Sequence, residues 1–207
     1  MARINVNPNR MELSRLKKRL VVAKRGHKLL KDKQDALIKA FLERAREGKV
    51  LREQVEEELK DCFGAFVLSR AQTTREVLEQ ALMFPGAKCS LSATWKNVMS
   101  VIVPEYHVTQ EGSPINYGFA SVPLLLDVAL EQFSKLVLRL LELAAKEKAI
   151  RLMAVEIERT RRRVNALEYV MIPNLSETIR YISMKLDEQE RSNLSRLMKI
   201  KEIVRNK

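Results

Sequence analysis

Few side chains in this sequence have the type and spacing that catalysis or metal binding requires. The two histidines, His27 and His107, have no second histidine or cysteine at a metal-ligand or triad spacing. The two cysteines, Cys62 and Cys89, match neither metal-ligand nor redox-motif spacing. We therefore predict that both cysteines are buried free thiols in a reducing cytoplasm.

A phosphate-binding glycine loop is also missing. The six glycines are isolated from one another, and none is followed by Lys-Ser or Lys-Thr at the spacing of a nucleotide-binding loop. We predict a non-catalytic chain with no catalytic residue, no cofactor and no metal site.

Positive charge is the remaining chemical feature. The formal net charge is +12, and four arginines lie within Arg159–Arg163. Such charge attracts nucleic acid, anionic lipid or an acidic protein surface. No aromatic residue is interleaved with the arginines, as stacking on single strands would require. A solvated or partner-facing stripe is favoured, and a basic coiled-coil protein that binds nucleic acid or anionic membrane is the alternative.

The elements that position these residues are predicted to be long helices, because glycine and proline are scarce and charged residues make up 31%. No proline falls between Asn9 and Phe84, so one helix occupies most of residues 1–84, with Asn7 as its N-cap and Pro8 at its first position. A second helix begins near Val122-Pro123 and occupies 122–207, with a bend at Pro173.

Apolar residues in the first segment alternate in steps of three and four, which is typical of a coiled-coil seam. The second segment carries a similar seam, whose steps average about 3.67 residues from Met171 onward. His27 lies on this seam, where a polar residue fixes register. The predicted seam residues are Leu13, Leu16, Leu20, His27, Leu30, Leu37, Phe41, Val164, Leu167, Met171, Leu175, Ile182, Leu186, Leu197 and Ile200.

Two helices of this length joined by a short insert fit an antiparallel hairpin. With Leu13 placed near Ile200, the Arg159–Arg163 cluster would face an acidic block between Glu53 and Asp61. The apolar stretch 124–145 carries five charged residues, which argues against a membrane-spanning helix.

Residues 85–121 are predicted to form an insert with a short helical part and a small β-hairpin. The run Val98–Val103 reads as one strand, Ile115–Phe119 as the second, and Glu111–Pro114 as the turn between them. The predicted fold class is therefore all-α dominated: a long antiparallel two-helix coiled coil interrupted by this insert.

Specific strings at both ends add a family resemblance. Asn7-Pro8-Asn9-Arg10-Met11-Glu12-Leu13 and Arg25-Gly26-His27-Lys28-Leu29-Leu30 near the N-terminus, with Thr160–Tyr169, Ile172-Pro173 and Leu186–Arg191 near the C-terminus, resemble the D subunit of the V/A-type rotary ATPases. The middle of the chain is similar mainly in layout.

This resemblance implies a rotor subunit of the central stalk that couples ATP hydrolysis or synthesis to proton or sodium transport, while ATP turnover occurs in other subunits. The implied partners are the F subunit, the hexamer of catalytic A subunits and non-catalytic B subunits, and the funnel-shaped subunit (C or d) above the membrane ring. No nucleic acid and no direct membrane insertion are expected. The implied location is cytoplasmic, peripheral on the inner face of the plasma membrane.

Two surfaces follow from the resemblance as expectations. One is a charged bearing surface against the hexamer, formed by Arg15, Lys17, Lys18, Lys24, Lys28 and Lys31. The other is a partner-binding hairpin surface, formed by Val98, Val101, Val103, Tyr106, Tyr117 and Phe119.

Overall fold

A computed structural model describes residues 4–118 and 122–205 and contains long helices with a β-hairpin between them. The elements in chain order are α1 (Arg10–Gln72), α2 (Arg75–Leu82), β1 (Lys88–Val98), β2 (Val101–Glu111), α3 (Leu124–Asn165), a π-helical segment (Ala166–Met171) and α4 (Ile172–Arg205). The predicted fold class is confirmed.

The element boundaries differ from the prediction in two places. Helix α1 begins at Arg10, where the Leu13 amide donates to the Asn9 carbonyl, so Asn7 is not its N-cap. It ends at Gln72 and does not continue to Phe84. The adjacent β-branched residues Thr73 and Thr74 interrupt the helix, and Thr74 has extended backbone angles (φ −72°, ψ 150°) before α2 begins.

The chain divides into two compact units, unit 1 (residues up to Ala36 and from Ile157 onward) and unit 2 (Leu37–Glu156). In unit 1, α1 packs antiparallel to α4. Arg10 forms an ion pair with Glu190, while His27 lies opposite Glu168. The buried core of this unit consists of Leu16, Ala23, Leu175 and Ile182.

The predicted register is wrong. Leu13 packs against the same core as Leu186, which lies fourteen residues, or two heptads, before Ile200. A shift by whole heptads places apolar residues opposite apolar residues again, so the seam pattern alone does not select among such registers. Leu197 and Ile200 are 61% and 55% exposed because α1 begins opposite Glu190.

The π-helical segment lies immediately before Pro173. The amide of Ile172 donates to the carbonyl of Leu167, a five-residue step. Proline has no amide hydrogen, and its ring collides with the carbonyl four residues earlier in an α-helix, so a wider turn before Pro173 relieves that conflict. The extra residue turns Met171 outward to 47% exposure, and Ile172 packs against the core in its place.

In unit 2, α1 packs antiparallel to α3. Arg52 contacts Glu147 at 3.4 Å, and Glu58 forms an ion pair with Arg139. The acidic block therefore meets the middle of α3, at residues that precede the predicted Arg159–Arg163 cluster in the sequence. Each exposed ion pair of this kind contributes about 1 kcal/mol or less to stability. Opposite charge blocks are therefore too weak a criterion to identify the correct register.

Two buried clusters hold unit 2 together. Val55 packs with Leu136 and Leu143 between α1 and α3. Farther along, Leu78 and Ala81 of α2 pack on Leu126, which is fully buried. The short helix α2 thus closes the core where α1 has ended.

The hairpin differs most from the prediction. Its strands pair in antiparallel register with Val98 opposite Val101, so Met99 and Ser100 form the turn inside the run that was predicted to be one strand. Both turn residues have positive φ, 51° and 71°, as tight two-residue hairpin turns require. The Ser100 amide donates to the Asn97 side chain at 2.9 Å. The predicted second strand, 115–119, contains no strand within its described part, 115–118.

No helix in the described ranges, 4–118 and 122–205, combines the length and apolar character needed to cross a bilayer.

Candidate functional site

The titratable side chains that sequence reasoning singled out are separated in the structure. His27 lies in unit 1, with Nε2 3.3 Å from a carboxylate oxygen of Glu168. His107 lies in unit 2, with Nε2 3.1 Å from the Thr94 hydroxyl. Over the described part of the chain, no group of three or more His, Cys, Asp or Glu side chains is arranged to hold a metal ion.

The cysteines differ in environment. Both are free thiols, but Cys89 is exposed on β1, so its predicted burial is wrong. Cys62 is buried and donates a weak hydrogen bond to the carbonyl of Ala129. Burial raises the pKa of the Cys62 thiol, which keeps it protonated and unreactive.

The six basic residues of the proposed bearing surface are all exposed on α1. Arg15 lies 3.4 Å from Glu12. Because this ion pair is exposed to solvent, it only partly neutralises the charge of Arg15. Lys17, Lys24, Lys28 and Lys31 recur at helical spacing and form a solvent-facing basic stripe on unit 1, whereas Arg15 and Lys18 lie on the other flank of α1.

The predicted seam residues fall into three groups by exposure. The buried ones are Leu16, Leu37, Val164, Leu175 and Ile182. Those that are partly buried are Leu13, Leu20, His27, Leu30, Phe41, Leu167 and Leu186. Met171, Leu197 and Ile200 are exposed and lie outside the core. The sequence pattern missed Ile172 because the five-residue step cannot be read from a heptad repeat.

The hairpin residues proposed to bind a partner are mostly turned inward. Val101 and Val103 are buried, at 5% and 8% exposure, while Val98 and Tyr106 are partly buried. Phe119 lies outside the described residues. The exposed apolar side chains of the hairpin are instead Leu91, Trp95, Met99 and Ile102. These four residues, which we call the hairpin apolar face, are more exposed to solvent than Val98, Val101, Val103 and Tyr106.

Tyr117 lies after β2, not in a strand, and packs on the Leu78–Leu126 cluster with its hydroxyl donating to Asp127. Burial raises the pKa of Tyr117 well above its ordinary value, and the hydrogen bond to Asp127 and the charge of that carboxylate act in the same direction. The folded chain therefore holds this proton more tightly than the unfolded chain does.

Stability should consequently fall above about pH 10, where the unfolded Tyr117 ionises first, whereas below that pH the contribution is complete. Tyr117→Phe should lower the free energy of unfolding at pH 8 by about 0.5–1.5 kcal/mol and by less at higher pH. Urea titrations at pH 8 and at higher pH measure this difference. Tyr169→Phe, at a 69% exposed position, is the control, and equal pH slopes for Tyr117→Phe and the unmodified chain would contradict the expectation.

A second apolar surface was not predicted. Phe63 and Val67, one turn apart on α1, are 54% and 61% exposed. We call these two residues the α1 apolar patch. Their four-residue spacing in a helical segment could have revealed it from the sequence.

Comparison with known proteins relates the chain to a family. The model of the family described as the ATP synthase D subunit matches residues 12–202, which takes in both units and the hairpin. The chain belongs to the ATP synthase D-subunit family. Members of this family include the V-type ATP synthase D subunit of Thermoanaerobacter sp. (strain X514), which is 54% identical and aligned over 99% of both chains.

Other D-subunit relatives agree in extent. The V-type ATP synthase D subunit of Acetivibrio thermocellus is 55% identical over 99% of this chain and 94% of its own length. That of Fusobacterium nucleatum subsp. nucleatum is 51% identical over 99% and 98%. The family resemblance inferred from the terminal motifs is thus confirmed along nearly the whole chain.

Proposed function

We propose that this chain is the central-stalk rotor subunit of a V/A-type ATPase or ATP synthase. The observation that carries the proposal is the match to the D-subunit family along nearly the full length of the chain. The antiparallel helix packing within each unit supports it, because interlocked apolar side chains resist the twisting that torque imposes.

In this proposal ATP binds and reacts in the hexamer of A and B subunits, and the chain changes their affinities through its contacts. An asymmetric axle touches each catalytic interface differently, so the sites differ in nucleotide affinity. The coupling is reciprocal: nucleotide steps drive rotation, and rotation driven by a proton or sodium gradient changes nucleotide affinity. The complex would act at the cytoplasmic face of the plasma membrane.

Three surfaces are assigned to partners. The basic stripe of unit 1 would turn against the hexamer, the hairpin apolar face would bind the F subunit, and the α1 apolar patch would dock on the funnel-shaped subunit. Exposed apolar groups on this scale mark interaction sites in soluble proteins. Neutralising the basic stripe should change ATP turnover more at low salt than at high salt. Turnover equal to that of the unmodified complex at both salt concentrations would refute its assignment.

The direct test is reconstitution. The chain should co-elute with the other ATPase subunits, and its omission should abolish coupling of ATP turnover to ion transport. Failure to co-elute, combined with tight and salt-sensitive binding to nucleic acid or anionic vesicles, would support the alternative function.

The hairpin assignment is tested by Trp95→Ser combined with Ile102→Ser. Because both side chains are more than 60% exposed, the change should leave the fold intact. It should weaken binding of the F subunit about tenfold, since exposed aromatic residues often dominate interfaces. Lys96→Ala, an exposed neighbour on the opposite face of β1, is the control. Unchanged affinity of the double variant for the F subunit would refute the assignment.

A further inference from the structure

Unit 1 contains a groove of about 500 Å³ beside the π-helical segment. Its floor is apolar and is formed by Ala23, Leu167, Met171 and Leu175. Leu167, Met171 and Leu175 are predicted seam residues, but regular seam packing would leave no groove of this size beside them.

The groove arises from two local irregularities. The five-residue step in the π-helical segment turns Met171 away from the core, so its side chain lines the groove. On the facing helix, Gly26 has no side chain, and a Cβ built there would meet no other atom within 4 Å. A regular α-helix opposite a larger residue would close this space. Irregular turns of this type are frequent at functional sites.

Three cations border the apolar floor. Arg15, Lys18 and Arg19 lie along one edge, and all three side chains are exposed. Arg15 also contacts Glu12 at 3.4 Å, which leaves most of the positive charge at Lys18 and Arg19. An apolar surface bordered by positive charge complements a segment with apolar side chains on one face and carboxylates beside them.

Nucleic acid fits this groove less well than such a segment. Bases would need aromatic side chains on which to stack, and the groove lining contains none. A lipid headgroup would pair with the cations, but its acyl chains would remain in the bilayer and leave the apolar floor uncovered. The continuous apolar floor is better matched by Leu-, Met- or Phe-sized side chains of a protein.

We propose that this groove binds an acidic amphipathic segment of a subunit that surrounds unit 1 in the assembled ATPase. The inference rests on the proposed rotor function and adds to it a specific binding site. Apolar side chains of the segment occupy the space above Gly26, and its carboxylates pair with Lys18 and Arg19. The groove therefore gives the rotor one preferred point of engagement, whereas the basic stripe alone attracts acidic loops at many positions.

The test uses the assembled complex and two substitutions at one position. Gly26→Phe fills the groove, whereas Gly26→Ala adds a methyl group and leaves most of the space open. A zero-length carbodiimide links Lys18 to nearby carboxylates, and mass spectrometry identifies them. In the unmodified complex, Lys18 should link to an Asp or Glu that has apolar residues three or four positions away. Gly26→Phe should reduce this yield about tenfold relative to Gly26→Ala.

Links made by Lys31, which does not line the groove, should be unchanged and serve as the internal control. If Gly26→Phe does not fold, Arg19→Ala replaces it and is compared with Lys24→Ala; both variants keep Lys18, and only Arg19→Ala should lower the yield of its link. Equal Lys18 yields for Gly26→Phe and Gly26→Ala in an assembled, active complex would overturn the groove proposal while leaving the rotor function intact.

Two further outcomes would also overturn it. Binding of the chain to anionic vesicles that Gly26→Phe abolishes and Gly26→Ala preserves would assign the groove to lipid. Failure of the unmodified chain to co-elute with the ATPase subunits would remove the rotor function, and the groove proposal with it.

Discussion

Ile182→Ala is expected to lower the free energy of unfolding by about 2–5 kcal/mol. Ile182 is fully buried and packs with Leu16, Ala23 and Leu175 in the core of unit 1. Truncation removes its transfer free energy and leaves a cavity that α1 and α4 cannot fill without moving together. Urea denaturation followed by circular dichroism measures the change.

The matched control is Met184→Ala, two residues farther along the same helix and 62% exposed. Its effect should stay within about 0.5 kcal/mol, as is usual for surface substitutions. If the two variants are equally stable, Ile182 does not lie between the helices. The packing described for unit 1 would then be wrong.

Gly48→Leu should also be strongly destabilising and lower the free energy of unfolding by about 1–3 kcal/mol. Gly48 is buried in unit 2, and a Cβ at this position would lie 3.0 Å from the terminal methyl of Ile150. A leucine has no room between α1 and α3, so it would force them apart or push Ile150 out of its preferred rotamer.

Gly64 provides the comparison because it lies on the same helix with nothing within 4 Å of its Cβ position. Gly64→Leu should therefore raise stability slightly, since leucine favours a helix by roughly 0.5–1 kcal/mol over glycine. Thermal unfolding of both variants measures the difference. An unaffected Gly48→Leu would show that α1 and α3 do not approach each other at Gly48, whereas a destabilised Gly64→Leu would show that Gly64 is not in open space.

The helices could be predicted from the sequence because their apolar repeat is long and glycine and proline are rare. The antiparallel direction was also accessible, since a short insert cannot connect long parallel helices. The register could not be predicted, because moving Leu13 from Ile200 to Leu186 is a shift of two whole heptads that again places seam residues opposite seam residues. Contacts such as the ion pair between Arg10 and Glu190 are specific to one alignment. Because exposed ion pairs contribute little energy, the charge pattern of the sequence does not identify that alignment.

The hairpin was misplaced for a different reason. Its turn has no Asn-Gly or Asp-Gly sequence, and Met99 and Ser100 adopt positive φ with support from the Asn97 side chain. The Gly112 and Pro114 region looked like a better turn and was chosen instead. Gly112 does have a positive φ of 92°, but it follows the end of β2 and does not connect two strands.

The groove could not be predicted because it depends on two irregular features together. Pro173 indicated a disturbed helix, yet the sequence did not show that the disturbance would be a π-helical step before the proline. Gly26 alone was one isolated glycine among six. Only in the folded unit do Gly26 and Met171 line the same space.

The different environments of the two thiols make the chain convenient for optical experiments. A maleimide dye should react at Cys89, which is exposed on β1, and spare Cys62, whose thiol is buried and protonated. The natural sequence thus supplies a single fluorescent attachment point without mutagenesis. Under the proposed rotor function, a dye or gold bead fixed there would report angular steps of individual molecules during ATP turnover.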